Sequence, residues 1–240
     1  PEPGKSLAIG TAATRDFLPE ELGRMAQIRA TAAAVREAMA AAAITDPADV
    51  QYVQVKCPLL TSEAIAAAGG RGAAVVTDNT YASMGYSRGA SALGVGLALG
   101  EVAEAALADE VVCRDFGLWS GRASTSAGIE LMHNEVIVLG NSPLWASEDV
   151  IAHRVMRDAI DLPSVFGALA DAGIGTTGQL EEAARGRVRA VLAKADPASS
   201  GRIRGARHVM LEDSDINATR HARALVGGVL AAAIGRTDLF

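Results

Sequence analysis

The chain has 240 residues, half of them hydrophobic and 4% aromatic, with 25 glycines and a formal charge of −6 at pH 7, a length for one large or two medium globular domains. Net acidity without any Lys/Arg block argues against a nucleic-acid surface. No apolar run is long enough to span a bilayer or reads as a signal peptide, so a cytoplasmic setting without membrane contact is expected.

In chain order, residues 6–12 read as a short strand. Pro19-Glu20-Glu21 opens a predicted helix through about residue 43, with Leu22, Met25, Ile28, Ala32, Val35 and Met39 at helical spacing; it reads as scaffold. Asp46-Pro47 ends it and leads into the β-rich run Tyr52-Val53-Gln54-Val55, closed by Cys57-Pro58, which puts Lys56 at the end of a buried strand. A short helix over 62–68, an extended segment over 73–76 and a turn at 78–80 follow. Arg88 then opens a predicted helix over 88–107, whose Gly89, Ala90, Ala92, Gly94 and Gly96 suit close packing on a sheet. Val111-Val112-Cys113 reads as a second strand, leading to Ser120-Gly121. Trp119 is expected to pack behind that turn, with Arg122 a surface charge and Ser124 a hydroxyl behind the site.

A strand at 136–139 starts the order again. A polar loop with Pro143 and Trp145 precedes helices over about 148–160 and 163–171, a segment over 179–187, and the apolar run 188–194, read as a strand ending in Lys194. Residues 213–215 resemble a helix-capping turn before Arg220, which enters a helix to about residue 234.

Only Lys5, Lys56 and Lys194 are lysines among the 22 basic residues. Arginine keeps its proton, whereas a desolvated lysine can lose it and act as a base. With Ser120 this suggests a Ser-Lys pair: the amine takes the hydroxyl proton, the serine attacks a carbonyl, and N–H groups at Ser120 and Gly121 face the oxyanion. Lys56 reads equally as a strand residue whose ammonium reaches water. What favours chemistry is recurrence, because Lys194 and Arg220 repeat Lys56 and Arg88 at a period of about 140 residues, too long for a solenoid. Cys57 and Cys113 read as core residues and form no disulfide framework, and no Cys/His cluster has metal-ligand spacing. Of the histidines, only His221 adjoins a candidate residue.

The segments VQVKCPLLT (53–61), SRGASALG (87–94), SGRAS (120–124) and DSDINATRHARALVGGV (213–229) together resemble the ring-opening cyclic amide hydrolases, the family of cyanuric acid hydrolase and barbiturase. The resemblance implies an α/β fold of repeated units about a pseudo-threefold axis, each giving a lysine, an arginine and a Ser-Gly turn to a central pocket. On it, residues 1–130 form the second unit and 131–240 the third, ending before its own Ser-Gly turn. It also implies hydrolysis of a cyclic imide, cyanuric acid before barbituric acid, with Lys56 and Ser120 catalytic and Arg88, Gly121, Lys194 and Arg220 holding substrate. No cofactor is expected for the chemistry; a structural divalent metal is expected in a glycine-rich loop beyond residue 240, and the assembly is expected to be a homotetramer. The alternative from another class is a non-catalytic small-molecule-binding module, which would keep the arginines without needing the Lys-Ser pair.

Overall fold

The structure, a computed structural model, describes residues 4–196, 200–207 and 218–240. It is of mixed α/β class and divides into two compact units, Pro1–Ile151 and Ala152–Phe240.

The first unit contains β1 (Ser6–Ala13), α1 (Met25–Ala41), β2 (Val50–Pro58), α2 (Ser62–Gly70), α3 (Thr80–Ala98), β3 (Ala123–Gly128) and β4 (Glu135–Ser142). Its sheet has the order β1-β4-β2-β3. β4 runs antiparallel to β1 and β2, while β2 and β3 are parallel, a pairing that needs the long crossover through α2 and α3. Val53, Val55 and Cys57 of β2 are fully buried and join Val35, Ala38 and Met39 of α1 and Val95 of α3 in the core. Strand alternation therefore turns Tyr52, Gln54 and Lys56 to the opposite, open face.

Two glycines set how closely the helices approach. A Cβ on Gly10 of β1 would collide with the Ala38 carbonyl of α1, and one on Gly94 of α3 would lie 2.6 Å from the Ile28 carbonyl oxygen. The apolar stripe of α1 is the expected one, and Ile28, Ala32, Val35 and Met39 are buried, each full burial of a large apolar side chain contributing about 1.5–3 kcal/mol.

Three local expectations are corrected. The helix expected from Pro19 is a 3-10 turn, Pro19–Glu21, separated from α1 by Gly23 at φ +72°, a left-handed conformation that glycine adopts without strain. α3 begins eight residues before Arg88, because the Asn79 side chain accepts from the Ala82 N–H at 2.8 Å and caps it; it ends at Ala98. Val111-Val112-Cys113 is no strand. Val112 is buried with Ile28, Ala90 and Leu93 while Cys113 turns at φ +58°, and Asp109 accepts from the Met25 N–H at the start of α1.

β4, expected to open the next repeat, is hydrogen-bonded on both sides within the first unit's sheet. The compact units accordingly meet at residues 151 and 152, where the sequence suggested a boundary at 130.

The second unit holds α4 (Leu162–Asp171), α5 (Glu182–Arg185), the two-residue strands β5 (Arg202–Ile203) and β6 (Ala206–Arg207), and α6 (Ala218–Ile234). Val165, Leu169, Val226, Leu230 and Ile234 form its core. The helix expected over 148–160 is absent: Arg154 and Arg157 are spent on the carboxylates of Asp171 and Asp161. Residues 188–194 do not form a strand: the Val188 N–H turns back to the Arg185 carbonyl, and Val191 and Ala193 exchange backbone hydrogen bonds with Phe240 alone among the described residues. The capping turn at 213–215 and His208 lie outside the described residues.

Candidate active site

Parallel pairing fixes the site. The register sets Val53 beside Ala123 and Lys56 beside Ser126, so Lys56 and Ser126 share the open face at the C-terminal end of β2. Lys56 Nζ donates to Ser126 Oγ at 3.4 Å and lies 2.7 Å from Glu130 Oε1. The Lys56 hydrogen bond, helped by backbone N–H groups at Glu130 and Ile129, holds the Glu130 carboxyl below the ordinary range. Glu135, the register partner of Lys56 on β4, makes no ion pair with it; its carboxylate lies 3.8 Å from His133 Nε2.

Arg88 approaches from α3. Burial pushes the Cys57 thiol up, and the Ser87 and Ser91 hydroxyls and then the Arg88 and Lys56 charges oppose that, so both cations stand close about Cys57. Arg88 makes no hydrogen bond or ion pair among the described residues, and its Nε is buried without a partner. A guanidinium left with unused donors in a half-buried position is suited to a planar acceptor from outside the protein.

Behind these groups lies a fully buried polar network. Gln27 Nε2 donates to Ser87 Oγ at 2.8 Å and to Ser91 Oγ at 3.2 Å, and Asn134 Nδ2 donates to Thr31 Oγ1 at 2.7 Å and to Ser91 Oγ at 2.9 Å. The network fixes the α3 turn that carries Arg88. It also pins, at Asn134, the connection between β3 and β4 that carries Glu130.

Ser120 is not brought to Lys56. It precedes Ser126 by six positions, and the three strand steps from Ala123 to Ser126 alone carry the chain about 10 Å. Its surroundings belong to the other end of the sheet: Arg122 donates to the Pro47 carbonyl just before β2, and a Cβ on Gly96, near the end of α3, would lie 3.6 Å from Ser120 Cβ. Ser120 Oγ donates to Glu101 Oε2, and the Gly121 N–H donates to Glu101 Oε1 at 3.3 Å. The N–H expected to face an oxyanion is thus engaged by a carboxylate. Trp119, expected to pack behind the turn, is 56% exposed. Arg122 is half-buried and holds Pro47, so it is more than a surface charge. Ser124 is buried beside Gln54.

Lys194 and Arg220 are exposed residues of the second unit, so the arrangement above is built from the first unit alone. His221, on α6, has Nε2 buried without a partner. Among the described residues, no group of three or more His, Cys, Asp or Glu side chains is placed to hold a metal ion, and no helix is long and apolar enough to cross a membrane.

Ser126 is the residue that sequence reasoning passed over. Its signal is the small-residue run Ala123-Ser124-Thr125-Ser126-Ala127, in which Ser124 and Ser126 alternate with Ala123, Thr125 and Ala127 as a half-buried strand requires.

Residues 1–240, the whole chain, match the family described as amidohydrolase ring-opening proteins. The chain belongs to that family. Two relatives within reach are the cyanuric acid amidohydrolases of Azorhizobium caulinodans, 57% identical over 240 residues, and of Bradyrhizobium diazoefficiens, 59% identical over 232. These alignments take in 100% and 97% of this chain but 65% and 62% of the relatives, so the chain spans somewhat less than two thirds of the length of this family's proteins that it matches. The cyanuric acid hydrolase structure from A. caulinodans superposes with a TM-score of 0.88 at 56% identity, covering all of this chain and 66% of that one. A second cyanuric acid hydrolase structure, described as an evolutionary innovation by structural concatenation, gives 0.90 at 52% identity and covers 65% of that chain.

Proposed function

We propose that this chain supplies part of the ring-opening site of a cyanuric acid hydrolase, with Ser126 as nucleophile, Lys56 as its base and Arg88 as the substrate clamp. The observation that carries the reading is the 3.4 Å approach of Lys56 Nζ to Ser126 Oγ across two parallel strands, within reach of proton transfer once substrate tightens the site. The names and lengths of the relatives support the reaction class.

Cyanuric acid is a flat ring of alternating carbonyl and N–H groups. Arg88 donates to a ring carbonyl oxygen and gathers negative charge as it develops there. Lys56, as the free amine, takes the Ser126 proton while Oγ bonds to the ring carbonyl carbon. The tetrahedral adduct collapses with cleavage of the ring C–N bond, and the departing nitrogen takes the proton back from Lys56. Water then hydrolyses the acyl-serine, again with Lys56 as base, releasing the opened carboxybiuret product.

The test is ring opening of cyanuric acid and of barbituric acid by the full-length protein and its Lys56→Ala and Ser126→Ala variants. Paired groups act as a unit, so each variant is expected to lose about 10³-fold or more in kcat and the double variant little beyond that. Near-normal turnover by either single variant would remove the pair from the mechanism. No turnover of either ring by the intact protein would leave a small-molecule-binding module.

A further inference from the structure

Lys56 has two partners, and only one of them is a nucleophile. Lys56 Nζ stands between Ser126 Oγ at 3.4 Å and Glu130 Oε1 at 2.7 Å, so the carboxylate holds the lysine more tightly than the hydroxyl does. The Glu130 side chain is 55% exposed, yet the backbone that carries it is held. It lies two residues beyond the end of β3 and four before Asn134, whose side chain is buried in the polar network between α1 and α3 and whose backbone N–H donates to Thr14 Oγ1 at 2.9 Å. The connection is therefore tied at both ends, by the β2/β3 ladder and by Asn134.

The geometry points to Glu130 as a positioning residue for the ring-opening reaction, the third member of a Ser126-Lys56-Glu130 chain in which the carboxylate orients the base and stabilises its cation. The inference rests on the Lys56–Ser126 reading above. Its logic is that of a nucleophile, a base and an acid that holds the base in line. Before attack, a hydrogen bond from the neutral amine to the Glu130 carboxylate holds the flexible lysine side chain in line with Ser126. When Oγ bonds to the ring carbonyl, the proton that leaves Ser126 makes Lys56 an ammonium, and that new charge forms 2.7 Å from a carboxylate already in place. When the C–N bond breaks, the proton passes from Nζ to the ring nitrogen, and Glu130 neither gains nor loses one. Glu135, the other carboxylate on this face, is aligned with Lys56 by register but makes no ion pair with it, so it does not share the role. Arg88, whose charge also acts on Cys57, repels the ammonium and cannot orient it.

The experiment compares Glu130→Gln and Glu130→Asp with Ser126→Ala and Lys56→Ala in the full-length protein, reading kcat, KM and the thermal midpoint. Glu130→Gln keeps the shape and removes the charge. It is expected to lower kcat about a hundredfold with KM within about threefold and an unchanged midpoint, and Glu130→Asp should recover part of that loss because the charge is kept on a shorter stem. Turnover of Glu130→Gln within twofold of the parent, with Ser126→Ala inactive, would overturn the positioning role and leave the Ser-Lys pair standing. A joint fall in kcat, rise in KM and drop in midpoint would overturn it too, by making Glu130 a structural residue. Unimpaired Ser126→Ala or Lys56→Ala would overturn the underlying reading and this inference with it.

Discussion

Ser120 and Glu101 are joined hydroxyl to carboxylate at the end of the sheet where β2 begins, away from Lys56. Glu101 also accepts from the Gly121 N–H, so the pair clasps the approach to β3. Ser120→Ala is predicted to lower stability by about 1 kcal/mol, the net value of an exposed hydrogen bond to a charged group, and to leave kcat within about threefold. Urea unfolding and steady-state kinetics on the same variant check both.

Arg88→Lys is predicted to raise KM for cyanuric acid about tenfold or more while leaving the thermal midpoint within a degree or two. The fork of a guanidinium is lost with the substitution, and no protein partner is given up, because Arg88 makes no hydrogen bond or ion pair among the described residues. A fall in midpoint without a change in KM would mark Arg88 as structural.

Gln27→Leu keeps most of the volume and removes the hydrogen bonds to Ser87 and Ser91. It also leaves the Gly23 N–H without the Gln27 Oε1 that accepts it at 2.8 Å. Buried polar groups without partners cost about 1–3 kcal/mol each, and a total loss of about 3 kcal/mol is predicted from denaturant unfolding.

Gly10→Ala drives a methyl group into the Ala38 carbonyl, and backbone on both sides leaves little room to yield. A destabilisation of about 3 kcal/mol is predicted, at the upper end for overpacking. A variant as stable as the parent would show that α1 can lift from β1.

The second unit should carry an acid-sensitive limb. The Asp161 carboxyl is buried and held far below its ordinary range, first by the Arg157 side chain, then by the Arg157 N–H and the Ser164 hydroxyl. A depressed folded value means the stabilisation is complete above the unfolded value of about 3.9 and is lost as pH falls through the folded one. Thermal midpoints from about pH 6 down to pH 2 should therefore fall more steeply for the parent than for Asp161→Asn, which should be less stable near neutrality.

Much of the first unit could be read from residue patterns. The alternation in Val53-Gln54-Val55 and the stripe Ile28, Ala32, Val35, Met39 are local signals, and both elements formed where the patterns put them. The structure sets Ser120 apart from Lys56 for a physical reason. Ser-Gly is a turn signal, and it says nothing about which residue lies beside Lys56 once strands pair. That partner is set by the register of two parallel strands separated by two helices, information spread over the crossover and absent from any one segment. Val111-Val112-Cys113 and residues 188–194 show the same limit: both have strand-like composition, yet burial beside α1 and α3 claims the first, and the second pairs its backbone with the single residue Phe240 and with the preceding turn at Arg185.

The 70 positions between Lys56 and Ser126 have a kinetic consequence. Closing so long a loop is entropically costly and long-range pairings form after local ones, so the helices α1 and α3 give the chain much of its secondary structure before β3 docks on β2. Lys56 and Ser126 first meet at that late step. On the proposed mechanism, a nascent or partly unfolded chain carries both side chains without their reactivity, and chemical competence becomes a report on completed folding.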